Sequence, residues 1–194
     1  MEQPSRTDIN PESKHVIEGQ LRECFGRVVY SHKAHEKCAD ILLSRLSKIK
    51  LWQIILSAVT TAGFVSVIFS NEKIMAIIGT GISVILLALN TYAKDYDLGE
   101  LAGKHKESAN ELWLIREKYV SLLIDLSIGN KSIEVAQKER DSLAMELHDI
   151  YAGSPSTTIP AYRKAQTALK QGQEMTFSDK EIDAFLPNEL KRSK

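Results

Sequence analysis

Two histidines, a cysteine and a serine carry the side chains best suited to chemistry. His35 and Cys38 lie in "SHKAHEKCAD", and His105 and Ser108 lie in "GKHKESAN". Imidazoles and a thiolate ligate zinc, and an imidazole pair senses pH near neutrality. A zinc site would take a fourth protein ligand and a tidier spacing. The pattern therefore favours a polar layer that fixes helix register and subunit number, as a polar seam residue does in coiled coils. No metal or cofactor is expected. His15, His32 and His148 stand near no serine or cysteine nucleophile signature. "IIGTGIS" sets a Gly-x-Gly inside an apolar run, so it is no phosphate loop. Glu36, Glu107, Glu111 and Glu117 fall at helix-surface spacing beside Lys or Arg, as on a solvated face. With no catalytic constellation, the chain is expected not to be an enzyme.

Whether His35, Cys38, His105 and Ser108 meet depends on the elements that carry them. "LWQIILSAVTTAGFVSVIF" (51–69) and "IMAIIGTGISVILLALNTYA" (74–93) contain no charge, and only "SNEK" (70–73) separates them. About 20 apolar residues of helix span the roughly 30 Å of a bilayer's hydrocarbon. Neither run shows a polar stripe, and an all-apolar helix belongs in a membrane or at the centre of a large protein. The remainder of this 194-residue chain is too charged to wrap two such helices. The mean hydropathy of -0.18 averages these runs with a hydrophilic remainder. Neither run reads as a signal peptide, since the first begins far into the chain without a small-residue cleavage pattern.

Basic residues orient the hairpin. Lys33, Lys37, Arg45, Lys48 and Lys50 precede the first span and Lys94, Lys104 and Lys106 follow the second, against Lys73 alone in the loop. Both termini are thus expected in the cytoplasm, with the turn outside. Trp52 and Tyr92 take interfacial depths on the same face. Cys24 and Cys38 sit on the reducing side, about 21 Å apart along one helix, too far to pair within a chain. Equal numbers of basic and acidic residues, 25 each, argue against direct nucleic-acid binding.

The flanking segments read as helices. Leu21, Val28, His35, Leu42 and Ile49 recur every seven residues, with Cys24, Ser31 and Cys38 between them. Leu98, Leu101, His105, Ser108, Leu112, Ile115, Tyr119, Leu122 and Leu126 alternate steps of three and four. Each span is expected to continue as a cytoplasmic helix, ending after the second at "IGNKS". A third helix carries Ile133, Ala136, Leu143, Leu147 and Ile150 on one face. A Pro/Ser/Thr linker, a short helix at 161–170 and a capping box at Ser178 and Glu181 follow. The organisation expected is a disordered 1–14, a cytoplasmic helix 15–50, spans 51–69 and 74–93 around the external turn 70–73, cytoplasmic helices 94–152, and a linker, short helices and tail over 153–194. The fold class is all-α: a two-transmembrane antiparallel hairpin whose long helices continue into a cytoplasmic bundle or stalk.

Equal depths for Trp52 and Tyr92 set the hairpin's register and bring His35 and Cys38 beside Ser108 and His105. Inside the spans, Ala58 and Ala62, and Gly79 and Ser83, are small residues one turn apart that allow close helix approach. Ser57, Thr60, Thr61, Thr80 and Asn90 offer a polar face for packing or for a pore. The Asn90 carboxamide needs a partner in lipid, often supplied by another subunit. Two spans enclose no water path, so conduction would need oligomers.

"VVYSHKAHEKCAD", the span pair, "LGELAGKHKESANELWLIREKYVSLLIDL", "ERDSLAMELHDIYAGSPSTTIPAYRKAQTALK" and the ending "MTFSDKEIDAFLP" are similar to the bacterial SLATT family. That family is a two-transmembrane effector domain associated with nucleotide-second-messenger synthases and SLOG sensors. The resemblance covers roughly residues 18–187. It implies a membrane effector of antiviral, abortive-infection defence in the bacterial inner membrane, oligomerising to open a pore or perturb the bilayer when a nucleotide signal reports infection. The family's recurrent positions map to His35, His105, Trp113 and Arg116. The chain carries no SLOG or other nucleotide-binding domain, so recognition falls to a separate sensor or synthase partner or to the stalk. The alternative is a membrane-tethered scaffold whose tail docks a soluble nucleotide synthase or reverse transcriptase. A stand-alone ion channel would want a filter motif or a charged pore ring, which the spans lack.

Overall fold

The computed structural model describes residues 11–70 and 73–192. Six α-helices follow in order: α1 (Pro11–Ser70), α2 (Lys73–Asp95), α3 (Leu98–Ser127), α4 (Ile133–Gly153), α5 (Ile159–Lys170) and α6 (Asp179–Phe185), with a 3₁₀ turn at Asn188–Leu190. No strand occurs among the described residues. Helix α1 begins at Pro11, inside the segment expected to be disordered; proline suits a first helical turn, where its missing N–H costs nothing. Asn71 and Glu72 of the expected external turn lie outside the described residues.

Helix α1 runs unbroken for 60 residues and serves as the axis on which the others pack. Three contacts give the topology. Lys14 Nζ donates to the Ser127 carbonyl, His35 meets His105, and Gln53 bonds Asn90. Partner numbers fall as α1 rises, so α3 and then α2 lie antiparallel to it. The continuity expected of both long helices belongs to α1 alone. Helix α2 ends at Asp95 and Asp97 caps α3, its carboxylate accepting from the Glu100 N–H at 2.8 Å. A carboxylate that satisfies an N-terminal amide starts a new helix in preference to extending the old one.

The seam between α1 and α3 is the core. Ile17, Leu21 and Val28 of α1 interlock with Leu112, Ile115, Tyr119, Leu122 and Leu126 of α3, all buried. Of the α3 residues at alternating spacing only Leu101 is exposed, and the adjacent Ala102 is buried in its place. Leu42 and Ile49 of α1 are half-buried, because beyond Leu98 only α2 covers them. Helix α3 stops where Gly129 takes a left-handed φ of 78°, which lets the Asn130 amide reach back to the Asp125 carbonyl at 2.9 Å. Ala136 and Leu143 of α4 then close over the seam, and α5 lays Ala161, Ala165 and Ala168, one small buried face, against α1.

Past this bundle the chain is a bare helix pair. Gln53, Leu56, Thr60 and Gly63 of α1 are half-covered, as are Gly79, Ile82, Leu86, Leu89 and Ala93 of α2, so these rows face each other. The other faces carry Leu51, Ile54, Val59, Phe64, Ile77, Val84 and Leu87 in the open; Phe64 is 73% and Ile77 72% exposed. Among the described residues the helical run from Ala76 is long and apolar enough to cross a membrane, with mean hydropathy 1.7 in a window that is 0% buried. Its apolar part is α2, which ends at Asp95. Apolar surface on this scale is stable only under lipid or another apolar partner.

Truncating the centre of the seam should be costly. Leu112→Ala, at a fully buried site, is expected to destabilise the bundle by about 3 kcal/mol, whereas Leu114→Ala on the outer face should cost under about 1 kcal/mol. Chemical denaturation of the detergent-solubilised chain followed by circular dichroism reads both. Equal losses would mean that α3 packs through a different face.

Candidate functional site

Where the seam leaves its apolar half it turns polar, because histidine, lysine and serine take the inward positions of both helices. His32, Lys33 and His35 on α1 are buried, as are His105 and Ser108 on α3. The His35 and His105 rings pack tilted at 52° with centroids 5.0 Å apart, and their Nδ1 atoms are 3.0 Å apart. At that distance one Nδ1 carries the hydrogen and the other accepts it, so the two rings are not both protonated at once. Burial, then the neighbouring His105 and His32, push His35 down to about 4. Burial also lowers His105. His32 Nδ1 donates to the Ala109 carbonyl at 2.8 Å, which turns Nε2 towards Glu36 Oε1 at 3.6 Å.

The other two members of the expected polar layer are occupied elsewhere. Ser108 Oγ donates to the Lys104 carbonyl of its own helix at 2.9 Å. Cys38 Sγ sits 4.0 Å from the Thr158 hydroxyl, the cap of α5. Histidines and thiol therefore share a level without converging, and no group of three His, Cys, Asp or Glu among the described residues is arranged around a metal position. Trp113 is half-exposed and Arg116 pairs with Glu117 at 3.5 Å; neither reaches the histidine pair.

A cavity of about 370 Å³ opens onto His35 between α1, the end of α4 and the linker to α5. Its walls are polar and aromatic: the Ser31 and Tyr151 hydroxyls bond at 2.7 Å, and the Tyr30 and Tyr162 rings stack at 5.9 Å. The linker "GSPSTTIP" is thus wall as well as connection. His32 and the tyrosines are additions that sequence reasoning missed. A signal for His32 existed, since it precedes His35 by one helical turn; none existed for the tyrosines, which come from three separate helices.

In the apolar pair several polar groups are satisfied inside the chain. Thr60, Thr61, Thr80 and Ser83 each donate to the carbonyl four residues earlier. Gln53 Nε2 donates to Asn90 Oδ1 at 2.9 Å, a partner expected from another subunit. Gly79 lies on the face turned to α1, whereas Ser57, Ala58, Thr61 and Ala62 of α1 and Ser83 of α2 lie on exposed faces.

A long axial helix, a buried histidine level and an exposed apolar hairpin occur here in one chain, and a family model describes that chain. The model for the SMODS and SLOG-associating 2TM effector domain, family 4, matches residues 17–181. The chain belongs to the SLATT family. No curated protein and no solved structure matches it. SLATT membership makes the chain a membrane effector domain of defence-associated systems, an effector and not a member of a catalytic family, and the exposed apolar α2 agrees with membrane association.

Acid should weaken the SLATT stalk through its histidines. His35 is ordinarily near 6.5 and folded near 4, so between those values the unfolded chain holds a proton that the folded chain does not. Stability from this group is full above about 6.5 and lost as pH falls towards 4. Melting temperature should drop from pH 7 to pH 5, and His35→Phe should shrink that drop. A drop of equal size in the variant would assign it to other groups.

Proposed function

We propose that the chain is the membrane effector of a bacterial antiviral, abortive-infection system, which oligomerises to open or disrupt the inner membrane when a separate sensor or nucleotide-synthase partner engages the stalk. The carrying observation is the unbroken α1. It passes from the stalk core at Leu21 and Val28, through the histidine level, into the exposed apolar hairpin. A helix without a hinge moves as a rod, so a displacement of α3, α4 or α5 against α1 tilts or rotates the apolar segment.

The hairpin's surface supports assembly between copies. One chain uses the Gln53, Leu56, Thr60 and Gly63 row and leaves the row bearing Ala58 and Ala62 uncovered. Small residues one turn apart favour close packing of lipid-embedded helices. The internal bonds of the hydroxyls and of Asn90 favour packing over a hydrated lining for these groups. Both termini lie in the cytoplasm on the balance of Lys and Arg around the spans. The trigger must bind the active arrangement more tightly than the resting one.

A membrane-tethered scaffold is the second reading, favoured by the tail. Phe177, Ile182, Phe185 and Leu190 are exposed, Phe185 at 85%, and α6 packs little on the other helices. In that reading the tail docks a soluble enzyme.

Bacteria expressing the chain with its neighbouring genes are expected to admit an impermeant dye and lose membrane potential, and cells expressing it alone to do neither. Absence of leakage in every combination, despite confirmed insertion, favours the scaffold, for which deletion of residues 176–192 should abolish co-purification with the docked enzyme. Ala58→Leu with Ala62→Leu should abolish leakage by blocking helix approach. Asn90→Leu should lower toxicity while leaving insertion intact, since one polar pair between membrane helices is worth only about 0.6 kcal/mol. Toxicity unchanged at equal expression would remove Asn90 from the mechanism.

A further inference from the structure

Lys33 is unusual: its residue is only 8% exposed, on a helix whose other lysines mostly reach water. Two carboxylates hold its ammonium. Glu36 comes from the same helix at 2.7 Å, and Glu174 from the turn after α5 at 2.6 Å. Glu174 also reaches Lys37 at 3.3 Å. Burial alone pulls the Lys33 ammonium down, but the bonds from Glu174 and Glu36 together outweigh it and keep the group above its ordinary value. The Lys33 bond in turn is the main cause that holds the Glu174 carboxyl below its own.

The turn that delivers Glu174 is strained. Gln173 and Met175, which bracket it, take left-handed φ of 47° and 73°, although neither is glycine. A Cβ at Gly172 would lie 2.9 Å from the Ala168 carbonyl oxygen, so glycine is required there. The Glu174 amide reaches back to that same carbonyl at 3.0 Å. Non-glycine residues hold such angles only where the surroundings over-determine them, and here the over-determined product is one carboxylate on two lysines.

Two open grooves flank this ion pair. One of about 460 Å³ is lined by Lys33, Glu36, Lys37, Asp40 and Lys106. The other, about 500 Å³, is lined by Lys37, Asp40, Arg163, Lys164, Gly172 and Glu174. Five cationic groups thus face three carboxylates, and withdrawal of Glu174 leaves five against two. Both volumes fall in the range that holds a small molecule. Arg163 adds a planar fork suited to phosphate oxygens, and the lysines add point charges.

We propose that Lys33, Lys37, Arg163 and Lys164 form a binding site for a soluble phosphate-bearing ligand, and that Glu174 fills it in the resting chain as a tethered competitor. Lys33 stands about 27 Å along α1 from the apolar segment that starts at Leu51, so a lipid headgroup does not reach it. Ligand occupancy and release of the Gly172–Met175 turn are then one equilibrium, and the strain in the turn favours release. The site deepens the reading of the stalk as the part that receives the signal. Its test reads binding alone, so it stands or falls apart from membrane leakage.

The experiment is calorimetric titration of inorganic pyrophosphate into the full detergent-solubilised chain at constant ionic strength. Wild type should bind weakly, and Glu174→Gln at least about tenfold tighter, a difference of about 1.4 kcal/mol, because the competitor is gone. Adding Lys33→Met to Glu174→Gln should abolish binding. As Lys33 is buried, the surface pair Lys37→Met with Arg163→Gln is tested in parallel, and unchanged helicity shows that this variant is folded. That pair should also lose binding. Failure of Glu174→Gln to bind pyrophosphate, affinity equal to wild type, or undiminished binding after the Lys37 and Arg163 changes would each overturn the proposal.

Discussion

The antiparallel seam between α1 and α3 sets the position of everything else in the stalk. Near the chain's start it is an apolar interlock of Ile17, Leu21 and Val28 with Leu112, Ile115, Tyr119, Leu122 and Leu126. Such contacts are non-directional, and a seam of leucines alone would tolerate a slip of one turn. The polar level above it does not, since a slip would part His35 from His105 and leave buried imidazole nitrogens without partners. The apolar half supplies most of the buried surface, and the histidine pair is the contact that a slip would break.

With register settled, the remaining helices fall into place for local reasons. Gly129 turns the chain back over the seam, and Ser132 and Thr158 cap α4 and α5. Tyr119 is wholly buried within the apolar half; burial, with the adjoining Cys24, pushes its hydroxyl up to about 12. Helix α5 packs through alanines, which brings its backbone close to α1 and leaves Arg163 and Lys164 exposed at the edge. That close approach sets the turn after α5 beside Lys33 and Lys37. The ion pair with Glu174 is thus a consequence of small residues on α5 as much as of charge.

At the other end, α1 and α2 continue with two helices' worth of packing and no cover. A two-helix pair has more outward than inward face, so the rows holding Phe64, Ile77 and Leu87 are left exposed. Because α1 has no break, stalk and hairpin are mechanically one body on that side. On the α3 side the Asp97 cap separates them.

Much of the architecture was legible in the residues themselves. The all-helical character, the two charge-free runs, the end of α3 at Gly129 and the capping box at Ser178 follow from local periodicity and backbone preference, which the chain carries wherever it is placed. So does most of the buried face of α3, since leucine spacing names it without reference to a partner. The level of the histidines was legible too, from one alignment of Trp52 with Tyr92. What the tertiary structure decided is which atoms meet there. It paired His35 with His105, turned Cys38 to Thr158, gave Asn90 a partner in Gln53, and buried Lys33 beneath a carboxylate 141 positions away. A lysine counted as a cytoplasmic surface charge became a buried ion-pair partner for the same reason. Periodicity reports which side of a helix is covered, whereas the partner of a polar group depends on where distant helices cross.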